Sequence, residues 1–350
     1  MPDFRSALYL GLRHAARTLR PWAQLTSGVP WALQTSPEAR AIAARLAAIA
    51  GCEAGLLAPS TLHLFFDLPA IAGQDAVLLE RGTYPIGGWG AARVGAVRVF
   101  DQHDVGSLHA ALLATAPERR PLIVLDGLAP GDRGVGPLGA YSRLASRYGA
   151  RLVIDDTQAF GILGSRPDPA HPYGHGGGGS LRLHDIAGPH IILIASLAKG
   201  LGVPLALLAG ARSELDRYAA QSATQMHSSG PSTAALRAAE RALAVNHREG
   251  AARRARLARL VQLFRSQLQK AGIPVAGGIF PVQTLPAMDA RRTLALHTQL
   301  ARRDVHVIAQ RLAHGQGRLC FVLNARHTPH DVISAAAAVT QLLAPQTIAA

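Results

Sequence analysis

The sequence predicts an α/β fold, with a mostly parallel central sheet in a large domain and a small α+β domain at the C-terminal end. Three observations carry this. Short β-rich runs through the centre, "VRVF" 97–100, "LIVL" 122–125, "RLVID" 151–155, "IILIA" 191–195 and "LALLAG" 205–210, are apolar on both faces, as strands covered from both sides must be. Segments of helical apolar spacing separate them, which is what parallel strands need as crossovers. After "AGIPVAGG" the pattern restarts with a different, mixed order of strands and helices.

In chain order, residues 1–35 read as an N-terminal arm, 36–248 as the large domain and 249–350 as the small domain, opening on a linking helix. Helical spacing predicts helices over 38–50, 60–72, 106–116, 138–149, 212–222, 231–247 and 249–271. The small domain then reads as strand 279–285, helix 290–302, strand 304–309, strand 317–323 and helix 328–343. The one low-complexity stretch, "HPYGHGGGGSLRLH" 171–184, neither follows a strand directly nor opens a helix, so it fails as a dinucleotide fingerprint. It reads as a mobile loop beside the active site. His171, His175, His184 and His190 offer metal ligands, but four successive glycines cannot fix a site, and no metal is expected.

Composition bounds the partners. A chain of 350 residues, 49% of them hydrophobic, can bury a large core. The formal charge of +14 is compatible with anionic partners. The arginines, however, are spread along helical stretches without interleaved aromatics, which argues for a solvated basic surface and against nucleic-acid binding. Cys52 and Cys320 form no CxxC pair, so neither a disulfide framework nor a zinc knuckle is encoded, and a reducing cytoplasm fits. The N-terminal segment has an apolar stretch of only about seven residues before Arg13, unlike a secretory signal. The C-terminal "VISAAAAVTQLLAPQTIAA" carries Thr, Gln and Pro and reads as a packed helix, so no membrane span is expected.

Only two lysines stand among 34 arginines, and one of them, Lys199, lies just beyond the buried run "IILIA". A lysine there is costly to desolvate unless its pKa falls or it is used covalently. Both conditions describe a lysine that carries pyridoxal phosphate. Gly200 and Gly202 leave room for such a cofactor above the backbone, and Ser196 offers a hydroxyl to its phosphate. The cofactor also needs a carboxylate at its pyridine nitrogen. Asp155 is placed for this, at the carboxyl end of a central strand, where open α/β sheets bind ligands. Asp156 points elsewhere by strand alternation.

The segments "RLVIDDTQAFGILG", "IASLAKGLG", "HSSGPSTAALRAAERAL" and "GRLCFVLNARHT" follow one another in the order and spacing of the α-oxoamine synthases. The early "LYLGL" and "LAAIAGCEAGLLAPSTLHL" and the central "LIVLDGLAPGDRGVGPLGAYSRLASRYGA" match as well, so the chain resembles that family over nearly its whole length. The resemblance implies a fold type I pyridoxal-phosphate enzyme. It makes Lys199 the cofactor-bearing lysine and Asp155 the partner of the pyridine nitrogen, and it places Tyr84 where the family stacks a histidine on the ring. Ser60 and Thr61 open a helix facing the phosphate. Ser196 matches a phosphate-binding threonine, while Ser228 and Ser229 match a pair that reaches the phosphate from the neighbouring subunit, implying a homodimer with shared active sites.

The departures bear on the reaction. Gln158 stands where the family has a histidine; it donates a hydrogen bond but cannot shuttle a proton near neutral pH. Pro130 replaces a serine and Leu64 an asparagine. Cys320 takes the place of the arginine that clamps the substrate carboxylate, and a thiol cannot make that bidentate contact. Arg318, on the same strand face, is the expected substitute ahead of Arg326. The expected activity is condensation of an amino acid with an acyl thioester, borne by coenzyme A or an acyl-carrier protein. The alternatives are an aminotransferase or decarboxylase acting on an amino acid or amine, and a subunit without catalytic activity.

Overall fold

A computed structural model describes residues 2–33, 35–72, 76–94, 97–115, 120–131 and 134–343. Its elements are α1 (Pro37–Ala50), β1 (Ala54–Ala58), α2 (Thr61–Ala72), β2 (Val77–Glu80), α3 (Pro85–Ala92), β3 (Val97–Phe100), α4 (Val105–Leu113), β4 (Leu122–Asp126), the short pair β5 (Leu128–Ala129) and β6 (Gly134–Val135), α5 (Leu138–Arg147), β7 (Arg151–Asp155), α6 (Ser180–His184), β8 (Ile191–Ser196), β9 (Ala206–Gly210), α7 (Arg212–Gln221), α8 (Ala223–His227) and α9 (Thr233–Lys270). β10 (Val282–Thr284), β11 (Met288–Asp289), α10 (Ala290–Ala301), β12 (Ile308–Arg311), β13 (Gln316–Val322) and α11 (Pro329–Leu343) complete the chain.

Seven strands form one sheet in the order β1-β9-β8-β7-β4-β2-β3. From β8 to β3 all neighbours are parallel, whereas β9 runs antiparallel to both β8 and β1. The exception follows from the short link: residues 197–205 are too few for a crossover, so β9 must return alongside β8. Strand alternation divides the apolar residues between two cores. Ile123, Leu125, Leu152, Ile154 and Leu193 pack with Leu46 of α1, Leu108 of α4 and Tyr141 of α5, while Val124, Val153, Ile192 and Ile194 pack with Phe65 and Leu68 of α2 and Leu215 of α7.

Three expectations about elements are corrected. The helices expected over 231–247 and 249–271 are one helix, α9, so the expected domain boundary at 248/249 falls inside a continuous element. Gly250 does not break it because the absent side chain lets Arg254 Nη1 donate to Asn246 Oδ1 at 2.8 Å; a Cβ at 250 would lie 2.7 Å from that oxygen. The strand expected over 304–309 is Ile308–Arg311, since Asp304 turns the chain at a φ of 59° and His306 instead bridges to Asp3. The strand expected over 279–285 is Val282–Thr284. In this smaller sheet β13 pairs antiparallel with β10, β11 and β12.

The glycine-rich stretch is a pinned strap, not an open mobile loop. Gly161 N–H donates to Gly177 O, Gly164 N–H to Tyr173 O and Gly179 N–H to Leu163 O, each at 2.8 Å. A Cβ at Gly164 would lie 1.8 Å from His175 O, and one at Gly179 would lie 1.8 Å from Asp156 Oδ2. These glycines serve close approach of backbones rather than freedom. The N-terminal arm is equally engaged: Phe4, Tyr9, Leu10 and Leu12 are buried, and Phe4 O and Tyr9 O accept from Val322 N–H and Ala325 N–H at 2.8 Å.

Candidate active site

The carboxyl ends of three neighbouring strands converge on one cavity of about 390 Å³. β7 supplies Asp155, β4 supplies Asp126 in register with it, and β8 supplies Ser196. Thr61, Tyr84, Pro130, Thr157, Gln158, Lys199 and Gln310 also line it. Of the residues singled out in the sequence, the fold thus brings together Lys199, Asp155, Gln158, Tyr84, Thr61 and Ser196. Ser60, Ser228, Ser229, Arg318 and Cys320 do not line the cavity.

Lys199 sits on the turn from β8 to β9, tied by Leu201 N–H and Val203 N–H donating to Leu197 O. The turn does not leave the space that Gly200 and Gly202 were expected to give a cofactor. A Cβ at Gly200 would meet Phe160 O at 2.4 Å, and Gly202, at a φ of 66°, abuts Leu12 O. The two glycines let the turn press against the strap and the N-terminal arm. Burial pushes the Lys199 ammonium below its usual pKa, opposed by the carboxylates of Asp155 and Asp126. Asp155 is 6% exposed and its Oδ1 accepts from Thr157 N–H at 3.0 Å. Its pKa is raised, chiefly by burial, against that hydrogen bond and the charge of Lys199. Asp156 points the opposite way, as alternation requires, and accepts from Ser180 N–H at 3.0 Å.

The neighbouring wall is set by backbone contacts. Thr157 Oγ1 accepts from Ser196 N–H at 2.9 Å, joining the ends of β7 and β8. Asp126 accepts from Tyr84 N–H at 3.1 and 3.2 Å and so caps α3. The Tyr84 ring is 57% exposed at the rim. Gln158 Oε1 accepts from Tyr9 Oη at 2.6 Å, leaving its amide N–H group as the donor for the cavity. Ser60 Oγ is engaged with His63 Nδ1 at 2.8 Å. Ser228 Oγ donates to Thr224 O, and Ser229 is exposed. Cys320 is buried on β13 opposite Thr284 and Ile308, its thiol pushed up to about 11 by burial. Arg318 approaches the cavity at second hand: its Nε donates at 2.8 Å to Oε1 of Gln310, which lines the wall. Arg326 is exposed and packs against Gly11.

Sequence reasoning missed Asp126, Thr157, Gln310 and Tyr9. The rule that selected Asp155, a carboxylate ending a buried strand, also selects Asp126 in "LIVLD". Nothing local marks Gln310 or Tyr9, which reach the site through tertiary structure.

The family model for aminotransferase class I and II matches residues 64–339. The chain belongs to that family. Within it the chain is similar to the α-oxoamine synthases: it is 30% identical to the 8-amino-7-oxononanoate synthases of Alkalilimnicola ehrlichii, over 88% of this chain and 77% of the relative, and of Halorhodospira halophila, over 90% and 77%. The fold is shared with serine palmitoyltransferase of Sphingomonas wittichii, at a TM-score of 0.81 and 16% identity over 97% of this chain and 86% of the other. It is likewise shared with 8-amino-7-oxononanoate synthase of Francisella tularensis, at 0.75 and 15% over 97% and 96%. The expected fold type I architecture is therefore the observed one. Lys199 and Asp155, the lysine and strand-end carboxylate expected from the resemblance, both line the cavity, as do Gln158 and Pro130, whereas Cys320 lies outside it. No helix among the described residues is long and apolar enough to cross a membrane.

Proposed function

We propose that this chain is a pyridoxal-phosphate-dependent acyltransferase of the α-oxoamine synthase type, joining an amino acid to an acyl thioester with loss of carbon dioxide. One observation carries the reading: Asp155 and Lys199, the acid and the amine this chemistry demands, line one cavity at the carboxyl ends of adjacent parallel strands. The donor set fits the cofactor. Lys199 would hold it, Asp155 would pair with its ring nitrogen, Tyr84 would cover a ring face, and Thr61 at the α2 N-terminus and Ser196 would take the phosphate. When bound, the cofactor supplies an electron sink that stabilises negative charge at the substrate's α-carbon.

The chain's own residues do the rest. Asp155, buried and held by Thr157, keeps a proton and positive charge at the ring nitrogen. The Lys199 amine, with its pKa lowered by burial, is the base that removes or returns a proton at the α-carbon. Gln158, fixed by Tyr9, orients through its amide and does not exchange protons. Arg318, held by Gln310 at the cavity edge, is the cation for the substrate carboxylate in place of Cys320. Ser228 and Ser229, outside their own cavity, serve the site of a second copy in a homodimer.

The test is borohydride reduction of the cofactor-loaded protein followed by peptide mapping, then incubation with a panel of amino acids and acyl thioesters. Label at Lys199 and release of free thiol only when both substrates are present are expected. Label at Lys270 instead would overturn the cofactor assignment. Conversion of an amino donor to its oxo acid without thiol release would make the enzyme an aminotransferase.

A further inference from the structure

We propose that Asp168, His171 and His175 form a divalent-metal site, selective for Zn²⁺ and ions of similar ligand preference, on the strap between β7 and α6. The proposal is independent of the reaction assigned above, because none of the three residues lines the catalytic cavity.

The donor atoms are already gathered. One oxygen or nitrogen from each side chain lies within 4.8 Å of the others. Asp168 Oδ1 is 3.2 Å from His171 Nδ1, and Asp168 Oδ2 is 3.7 Å from His175 Nε2. Ligands bound at about 2.1 Å to a tetrahedral ion lie roughly 3.4 Å apart, so no pair of these donors has to close by more than about 1.4 Å, within reach of side-chain rotation. Two imidazoles and one carboxylate are a set that suits zinc and its neighbours rather than calcium or magnesium, which prefer oxygen alone. The three side chains are each partly exposed, so the remaining coordination positions face solvent and take water.

Although rich in glycine, the strap is held by paired backbone hydrogen bonds on both sides of the donor cluster. Ser165 and His175 exchange backbone hydrogen bonds at 3.1 and 2.8 Å, and Asp168 and His171 exchange another pair at 3.2 and 3.1 Å. Both His ligands therefore sit on locked backbone. The carboxylate is aimed as well, since Asp168 Oδ1 accepts from Ala170 N–H at 2.8 Å and His171 N–H at 2.7 Å. Such contacts behind a ligand fix its orientation before the ion arrives. Between the two histidines, Tyr173 is buried and its hydroxyl donates at 2.6 Å to Ile279 O, in the segment that leads into β10. An ion bridging 168, 171 and 175 would brace the strap on both sides of that anchor, so occupancy should stabilise the folded chain by ordinary linkage.

The experiment uses the full-length, cofactor-loaded protein freed of metal with EDTA. Zn²⁺ is titrated in competition with a colorimetric chelator, and X-ray absorption is recorded on the zinc-loaded wild type. A single tight equivalent, a shell of two imidazoles with oxygen donors, and a rise in thermal midpoint on loading are expected. Asp168→Ala, His171→Ala and His175→Ala should each weaken binding at least about tenfold. Wild-type affinity no greater than that of the His171→Ala/His175→Ala double variant would overturn the site. A shell without two imidazoles, or one containing sulfur, would overturn it without relying on any variant.

Discussion

Asp155 and Asp156 are neighbours with opposite duties, and strand alternation alone separates them. Asp155 faces the cavity and Lys199; Asp156, fully buried, faces the strap and holds Ser180 N–H. Asp155→Asn should therefore leave the fold intact and cost on the order of a hundredfold in turnover, about 3 kcal/mol of transition-state stabilisation. Steady-state rates beside an unchanged thermal midpoint check this. Burial pushes Asp156 up to about 7 from an ordinary 3.8. Between those values the unfolded chain has released a proton that the folded chain retains, so the contribution of Asp156 to stability is whole below about pH 4 and is lost as pH rises through about 7. Asp156→Asn removes that ionisation. Its stability relative to wild type should improve from pH 5 to pH 8, by a few kcal/mol at most. Denaturant midpoints across that range measure it, and a difference independent of pH would refute the assignment.

At the scale of elements, legibility followed the strength of local pattern. The runs at 122–125, 151–155 and 191–195 were readable because both faces are buried and β-branched residues are dense. β1, with "AGLLA", and β2, with "VLLE", hold one β-branched residue between them and are too weakly β-forming to stand out. α3 was hidden for another reason: "PIGGWGAA" holds three glycines, which local propensity counts against a helix. Tertiary packing explains one of them. A Cβ at Gly90 would lie 2.0 Å from Phe65 O of α2, so the glycine lets the two helices touch. Gly88 has no such role, as a Cβ there makes an ordinary contact at 3.6 Å with Leu79. Gly90→Ala is expected to cost about 1–3 kcal/mol through forced separation of α2 and α3. Gly88→Ala should gain up to about 1 kcal/mol. Thermal or urea unfolding of the two variants distinguishes a packed glycine from a merely tolerated one.

Across the whole molecule, the residues that bind chemistry were more legible than those that hold them in place. Lys199 and Asp155 declare themselves by being charged at the ends of apolar runs, whereas Tyr9 looks like any aromatic in an N-terminal segment. Yet the arm joins the smaller sheet to the cavity wall. Its backbone pairs with β13 and the segment after it through Phe4 and Tyr9, the Tyr9 ring packs edge-on against Phe280 with centroids 5.5 Å apart, and its hydroxyl anchors Gln158 in the cavity. Tyr9→Phe isolates the last of these links, since the ring and its packing remain. Loss of the hydroxyl leaves Gln158 Oε1 without its protein donor, which costs about 1 kcal/mol and frees the amide to rotate. Turnover should fall by a few-fold to about tenfold while the thermal midpoint drops by only a few degrees. Burial also raises the Tyr9 phenol well above its usual range, so it stays a donor at every working pH. The pH–rate profile of the variant should accordingly be lowered without changing shape. Unaltered turnover would show that the arm supports the fold alone, and a displaced profile would mean that the Tyr9 hydroxyl itself exchanges a proton with the site.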